Sequence, residues 1–266
     1  MDSSVYNATV ISKIMITPDL MILQLDTDEP REDFDAGQYI VLGLYGFEKR
    51  SLNSAIELVP AEEERLILRP YSIASAKKER RHFEFYISQV KSGQLTSRLF
   101  NLNIGERLYV GQKMAGIFQL DETPDGTDIV MVATGTGIAP YICFLRSHIA
   151  ERPESKMVVI QGAAHRWDLG YYSELIFLEK TYANFFYVPT LLDADDGWDG
   201  YRLCIEDLLK KEVLQNEFNI TPDPEQTRFF VTGKPDMVSH VSEWLCDYGY
   251  TRNYSDHPGE MYIEEF

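Results

Sequence analysis

Two short stretches combine residue types that could hold a phosphorylated cofactor. Arg69-Pro70-Tyr71-Ser72-Ile73-Ala74-Ser75 sets a planar cationic fork, an aromatic ring and a hydroxyl almost side by side. Arginine suits a diphosphate, tyrosine a flat heterocycle, and serine can donate to a ring nitrogen. An Arg–Tyr surface strand would explain the same residues with no ligand at all. The second stretch, Thr134-Gly135-Thr136-Gly137-Ile138-Ala139-Pro140, follows the apolar run Ile129–Ala133 and opens a helical pattern. Its glycines would let backbone N–H groups approach a pyrophosphate at a helix start, and Pro140 suits a first helical turn. A structural glycine turn fits equally well. The dinucleotide fingerprint is broken at its sixth position by Pro140, and the next apolar run ends in Gln161-Gly162 rather than an acid for a ribose hydroxyl.

The elements around these stretches fall into two patterns. Before residue 120 the apolar runs are short and punctuated by Pro30, Gly37, Gly46, Gly93 and Gly105. Strands are expected at Tyr6–Ile16, Leu20–Leu25, Tyr39–Leu44, Arg65–Ile67, Tyr71–Ile73, Phe83–Val90 and Leu108–Val110, with one helix over Leu95–Leu102 capped by Thr96. Many short strands at this spacing predict an antiparallel β-barrel. After the polar segment Asp121–Gly126, buried strands alternate with helices. Strands are expected at Ile129–Ala133, Met157–Ile160, Phe185–Pro189 and Arg228–Thr232, and helices at Pro140–Ala150, Tyr171–Thr181, Ile205–Asn216 and Asp236–Tyr248. That alternation predicts an α/β domain with a parallel sheet. The expected division is therefore residues 1–122 and 123–266.

Composition narrows the chemistry. With 25 basic and 42 acidic residues among 266, the net charge of −17 argues against binding a nucleic-acid backbone. Cys143, Cys204 and Cys246 stand far apart, with no CxxC and no Cys/His spacing, so no thiolate zinc site or four-cysteine iron–sulfur cluster is expected. The five histidines show no metal spacing either. No secretory leader pattern opens the chain and no apolar run reaches the ~20 residues of a spanning helix, so a cytoplasmic protein is expected. Within the first segment, Lys77, Lys78, Arg80, Arg81 and Lys91, together with Arg98, reverse the local sign of an acidic chain. That run reads equally as a docking patch or as a solvated face.

Taken in order, these motifs resemble the ferredoxin–NADP reductase family, and within it the bacterial flavodoxin/ferredoxin reductases. Arg69-x-Tyr71-Ser72 is similar to the flavin signature, Gly93-Gln94-Leu95-Thr96 to the diphosphate loop, and Thr134–Pro140 to the nicotinamide pyrophosphate loop. Val231-Thr232-Gly233-Lys234-Pro235-Asp236-Met237-Val238 resembles the last strand–turn–helix, and Met261–Phe266 the acidic-plus-aromatic terminus. The resemblance implies FAD held by Arg69, Pro70, Tyr71, Ser72, by Tyr86, Ile87, Ser88 and Gln89, by Gln94, Leu95 and Thr96, and by Thr136. Phe266 would cover the flavin face that reacts with nicotinamide, with Ser72, Thr232 and Glu264 completing the catalytic group. Gly135, Gly137, Arg166, Asp193, Arg202, Thr232 and Gly233 would hold NADP or NAD. Many relatives have cysteine at the place of Thr232, and tyrosine or tryptophan at the place of Phe266.

The reading that follows is a flavoprotein oxidoreductase exchanging electrons between NAD(P)H and ferredoxin or flavodoxin, its site in a cleft between the two domains. Two rivals share the fold: an NADH-dependent reductase component serving an oxygenase or other acceptor, and a non-catalytic binding subunit. The stretch Thr190–Asp196 holds three acids and no basic residue where NADPH-specific relatives carry arginine. Weak discrimination, or a preference for NADH, is therefore expected.

Overall fold

The computed structural model describes residues 5–120 and 123–265. The chain forms two compact units, Met1–Gly116 and Ile117–Phe266.

The first unit is a six-stranded antiparallel sheet with a single helical turn. Its strands are β1 (Ala8–Thr17), β2 (Leu20–Thr27), β3 (Tyr39–Tyr45), β4 (Leu66–Ser72), β5 (His82–Ser88) and β6 (Arg107–Val110), in the order β4-β3-β6-β1-β2-β5. The Ala74 N–H, just past β4, donates to the Glu84 carbonyl of β5 at 2.8 Å, linking the two outer strands as a barrel requires. Val10, Leu23, Leu25, Ile40, Leu42, Phe85, Leu108 and Val110 are fully buried within it. The two strands expected at Arg65–Ile67 and Tyr71–Ile73 are one strand, β4. Pro70 does not break it, because Pro70 lies on an outer strand of the sheet order, opposite Val41, where a missing N–H is tolerated.

The helix expected over Leu95–Leu102 shrinks to one turn, α1 (Thr96–Leu99), and Thr96 does not cap it. The Thr96 hydroxyl instead accepts from the Val90 N–H at 3.0 Å and lies 3.2 Å from the Val90 carbonyl. Val90 stands just past the end of β5, where no neighbouring strand meets those groups.

The second unit is a parallel five-stranded sheet, order β11-β10-β7-β8-β9. Its elements are β7 (Asp128–Thr134), α2 (Ile138–His148), β8 (Met157–Ala163), α3 (Tyr172–Thr181), β9 (Phe185–Leu191), α4 (Ile205–Lys210), α5 (Val213–Phe218), β10 (Thr227–Gly233), α6 (Pro235–Asp247) and β11 (Met261–Glu265). The unit begins ahead of the expected 122/123 boundary for a visible reason. Phe118 packs against Tyr141, Phe144 and Phe230, and Arg152 donates to the carbonyls of Leu120 and Thr123.

The helix expected over Ile205–Asn216 is two helices. Glu212 takes a left-handed conformation, φ 56°, between them. The break lets Leu208 and Leu209 of α4 and Val213 and Leu214 of α5 all enter one core with Val158, Ile160 and Val231. β11 was not expected as a strand, since two acids follow only three apolar residues. It is the outer strand of the sheet order, beside β10, with its other edge met at Met261 by a parallel bridge to Arg252, so only part of its surface needs to be apolar. Among the described residues no helix is long and apolar enough to cross a membrane, and no cluster of three or more His, Cys, Asp or Glu could hold a metal ion.

Candidate active site

In the first unit the Arg69–Ser72 stretch occupies the end of β4. Arg69 is exposed and its guanidinium donates to the neighbouring Leu68 carbonyl, at 2.7 Å. Tyr71 is half-buried and meets Phe85 edge-on, ring centroids 6.5 Å apart. Burial holds its phenol far above the ordinary range. Ser72 ends the strand opposite Tyr39.

On β5, Tyr86 and Ile87 are buried and Ser88 is exposed. Gln89 is buried just beyond the strand. Its amide nitrogen donates to the Ser51 hydroxyl at 2.5 Å, while its Oε1 is buried with no hydrogen-bond partner among the described residues. Gln94 is held by donation to the Val59 carbonyl at 2.8 Å, and Leu95 is buried at the start of α1.

Sequence reasoning missed the network beneath this surface. Glu57 accepts from Arg98 at 2.5 Å and pairs with Arg50 at 3.3 Å. Arg98 also donates to the carbonyls of Gln94 and Gly46, at 2.6 and 2.7 Å. Burial pushes the Glu57 carboxyl up, but Arg98's hydrogen bond, the Ala61 N–H and both guanidinium charges outweigh it and hold it below the usual range. Arg98 is thus a buried structural residue rather than part of an exposed basic run. Nothing local in the sequence signals the pairing, because 41 residues separate the partners.

In the second unit the glycine-rich stretch forms a 3₁₀ turn, Gly135–Gly137, between β7 and α2. The strand order reverses here: β8 and β9 lie to one side of β7, β10 and β11 to the other. Such a reversal places a crevice at the carboxyl ends of β7 and β10, the place where open α/β sheets take ligands. Both strands are fastened there. The Tyr141 hydroxyl lies 3.0 Å from the Val132 carbonyl and 2.6 Å from that of Phe230, and the Lys234 N–H donates to the Thr134 hydroxyl at 3.1 Å.

Two glycines are required at this crevice. Gly233 has φ 141°, and a side chain on it would strike the Thr134 hydroxyl. A Cβ on Gly137 would lie 2.7 Å from the Thr232 carbonyl oxygen. Gly137→Ala is therefore expected to destabilise the protein by roughly 1–3 kcal/mol through overpacking. Thermal unfolding measures it, and an unchanged Tm would show that the turn can move away from β10.

Thr232 is fully buried and its hydroxyl has no hydrogen-bond partner among the described residues. Its register neighbour on β11 is Glu264. Glu264 is half-buried beside a small pocket of about 50 Å³ that is also lined by Phe118, Arg252, Tyr254 and Tyr262. Burial alone raises its carboxyl to about 7, and its charge helps to push the buried Tyr141 phenol upward after burial itself. Phe266 lies outside the described residues.

Thr136 is half-buried within the turn. Arg166, Asp193 and Arg202 gather beyond the ends of β8 and β9 rather than at the turn. Arg166 stands over the Tyr172 and Trp198 rings, 5.8 and 5.9 Å from their centroids. The Arg202 guanidinium donates to the carbonyls of Ala194, Asp195 and Trp198. Gln161, where a ribose-binding acid would stand, is buried and accepts from the Tyr187 hydroxyl at 2.6 Å.

Residues 7–113 match the family model described as an oxidoreductase FAD-binding domain, and residues 131–243 the one described as an oxidoreductase NAD-binding domain. The chain is 30% identical to the flavodoxin/ferredoxin–NADP reductase of Buchnera aphidicola over 89% of each chain. The chain belongs to this reductase family. It is also 28% identical to the ferredoxin–NADP reductase of Azotobacter vinelandii, over 84% of this chain and 82% of that one. The ferredoxin NADP+ reductase of Neisseria gonorrhoeae, solved with bound FAD and NADP, superposes with a TM-score of 0.82 at 25% identity, covering 98% of both chains. As a member of this family the chain is an FAD-dependent oxidoreductase, with NADP or NAD as its cosubstrate.

Proposed function

We propose that the protein passes electrons between a reduced nicotinamide nucleotide and ferredoxin or flavodoxin by way of FAD. The observation that carries this reading is that both cofactor motifs end up where a ligand can be held. The Arg69–Ser72 stretch lies at the end of an outer strand, and the glycine turn stands at the reversal of a parallel sheet.

The first-unit residues fit FAD. Arg69 has an exposed fork that donates to the Leu68 carbonyl, Tyr71 contributes an aromatic ring, and Gln89 keeps a buried acceptor with no donor among the described residues. We assign Arg69, Pro70, Tyr71, Ser72, Tyr86, Ile87, Ser88, Gln89, Gln94 and Leu95 to holding it, with Thr96 acting through the Val90 backbone. Bound FAD supplies the exchange between two-electron and one-electron chemistry that side chains lack.

Gly135, Gly137 and Gly233 keep the β7–β10 crevice open to a nucleotide pyrophosphate. Thr232 contributes a hydroxyl without a partner among the described residues, beside Glu264, a pair suited to an uncharged carboxamide. Phe266, immediately beyond β11, is assigned to covering the reacting ring.

A visible spectrum followed by acid release of the flavin tests the assignment. FAD is expected, because the Arg69 fork is read as a diphosphate ligand and FMN has no diphosphate. Recovery of FMN, or a colourless protein that cannot be reconstituted, would overturn it.

Docking of an acidic carrier is assigned to Lys77, Lys78, Arg80, Arg81 and Lys91. Arg80 pairs with Asp33 at 3.1 Å, Arg81 with Asp26 at 2.6 Å and Lys91 with Asp19 at 2.9 Å. Steering by this face should therefore be modest. Reversing Lys77 and Lys78 is expected to slow carrier association several-fold at low salt and not at high salt. Stopped-flow rates that match the parent at low salt would remove the patch.

A further inference from the structure

We infer that the loop between β3 and β4 is the platform on which the adenine ring of FAD lies, with Leu52, Ile56, Leu58 and Val59 as its contact surface. The inference rests on the assignment of Gln89, Gln94 and Leu95 to FAD. It supplies a contact for the half of the cofactor that those residues leave without one.

β3 and β4 are antiparallel neighbours, yet residues 46–65 separate them. Hairpins usually need about two to five connecting residues, and a far longer connection in a compact unit is either disordered or functional. This one is fastened. Its neck is closed by the Gly46 N–H donating to the Arg65 carbonyl and the Phe47 N–H to that of Glu63, both at 3.0 Å. Beyond the neck, the Ser51 N–H donates to the Ser97 carbonyl at 2.8 Å and the Ala55 N–H to that of Lys91 at 2.9 Å. The Ser51 hydroxyl accepts from Gln89, the Val59 carbonyl from Gln94, and the Glu57 carboxylate from Arg98. All these partners lie between Gln89 and Arg98, the stretch that includes the residues assigned to FAD.

The loop turns its polar groups inward and its apolar side chains out. Leu52 is fully exposed, and Ile56, Leu58 and Val59 are 90%, 88% and 71% exposed. Large apolar side chains gathered on an anchored loop mark a surface that a bound group covers. The base of FAD fits that surface in chemistry and in reach. Its faces are flat and apolar, and aliphatic side chains pack against such faces in ligand sites. Only a ribose separates it from the diphosphate, and Gln94, in the stretch read as the diphosphate loop, is bonded to Val59 itself. An anionic lipid surface does not fit, because the exposed acids Glu62, Glu63 and Glu64 follow directly on a chain of net charge −17.

Stripping the flavin and titrating the apoprotein with FAD, and with an FAD analogue carrying fluorescent ethenoadenine, reads this without turnover. The double variant Ile56→Asp, Leu58→Asp should bind FAD about 10-fold more weakly than the parent. In the bound analogue the etheno base should be shielded from iodide quenching in the parent and open to it in the variant. Ile56→Val with Leu58→Met should keep both parental properties. Both positions are at the surface, so the unfolding midpoint of the apoprotein should stay in place. An etheno base as open to iodide in the parent as in the double variant would overturn the inference, and so would an unchanged FAD affinity. If that unchanged affinity came with a parental dimer that the double variant splits, seen by light scattering, the surface would belong to a second copy of the chain. A parent apoprotein that binds no FAD at all would overturn the flavin assignment itself, and this inference with it.

Discussion

Replacing Arg98 with alanine is expected to destabilise the protein by about 3–5 kcal/mol, the usual cost of stripping one partner from a buried ion pair. Arg98 is 5% exposed, and its loss leaves the buried Glu57 carboxylate with Arg50 and the Ala61 N–H, and the Gly46 carbonyl without its guanidinium donor. Urea unfolding followed by far-UV circular dichroism measures it. The double replacement Arg98→Met with Glu57→Leu should lose less than Arg98→Ala, since apolar side chains of similar volume remove the stranded charge as well. A loss below about 1 kcal/mol for Arg98→Ala would place the pair with weak surface bridges instead. The same network gives an acid signature. The folded-state value of Glu57 is depressed, so its contribution is fully present above the ordinary carboxylate value and disappears as pH falls through the lowered one.

Glu264 should behave in the opposite sense. Its folded-state value is raised from 4.5 to about 7, so between those values the unfolded chain has released a proton that the folded chain still holds. Stability contributed by this residue is therefore greatest below pH 4.5 and is lost as pH rises to about 7, a change of roughly 2 kcal/mol after allowing for its partial exposure. Glu264→Gln should flatten that portion of the stability–pH curve and leave the acid limb due to Glu57 in place. Unfolding midpoints at pH 5 and pH 8, for parent and variant, give the comparison. Equal pH dependence in the two proteins would show that Glu264 ionises as freely in the folded state as in the unfolded chain.

What could be read from the sequence and what could not divide along a physical line. The strands β7, β8, β9 and β10 were legible because burial on both faces demands unbroken apolar runs such as Ile129–Ala133. The glycine turn was legible because only glycine fits where the Gly137 backbone approaches the Thr232 carbonyl. β11 was not, because an outer strand needs only part of its surface to be apolar, and the division of the chain was misplaced because Phe118 is one residue deciding a boundary. The Glu57–Arg98 pair has no periodic or local signature. The commitment of Arg202 was equally invisible: a sequence shows that an arginine is present, not that its guanidinium already donates to three carbonyls.

The position of β6 carries a consequence for how the first unit assembles. β6 is the last of its strands to be synthesised, yet it lies between β3 and β1 and pairs with both. Without Arg107–Val110 the strand order falls into two groups, β1-β2-β5 and β3-β4, bridged at their outer edges by the Ala74–Glu84 hydrogen bond. Pairings such as Ala8 with Leu108 span nearly the whole unit, and closing a loop of that length precedes any reward from the contact. The rate-limiting event in its folding is therefore expected to be capture of a four-residue strand by two preformed half-sheets. Substitutions in β6 should then slow refolding more than their effect on equilibrium stability would suggest for any other strand of the unit.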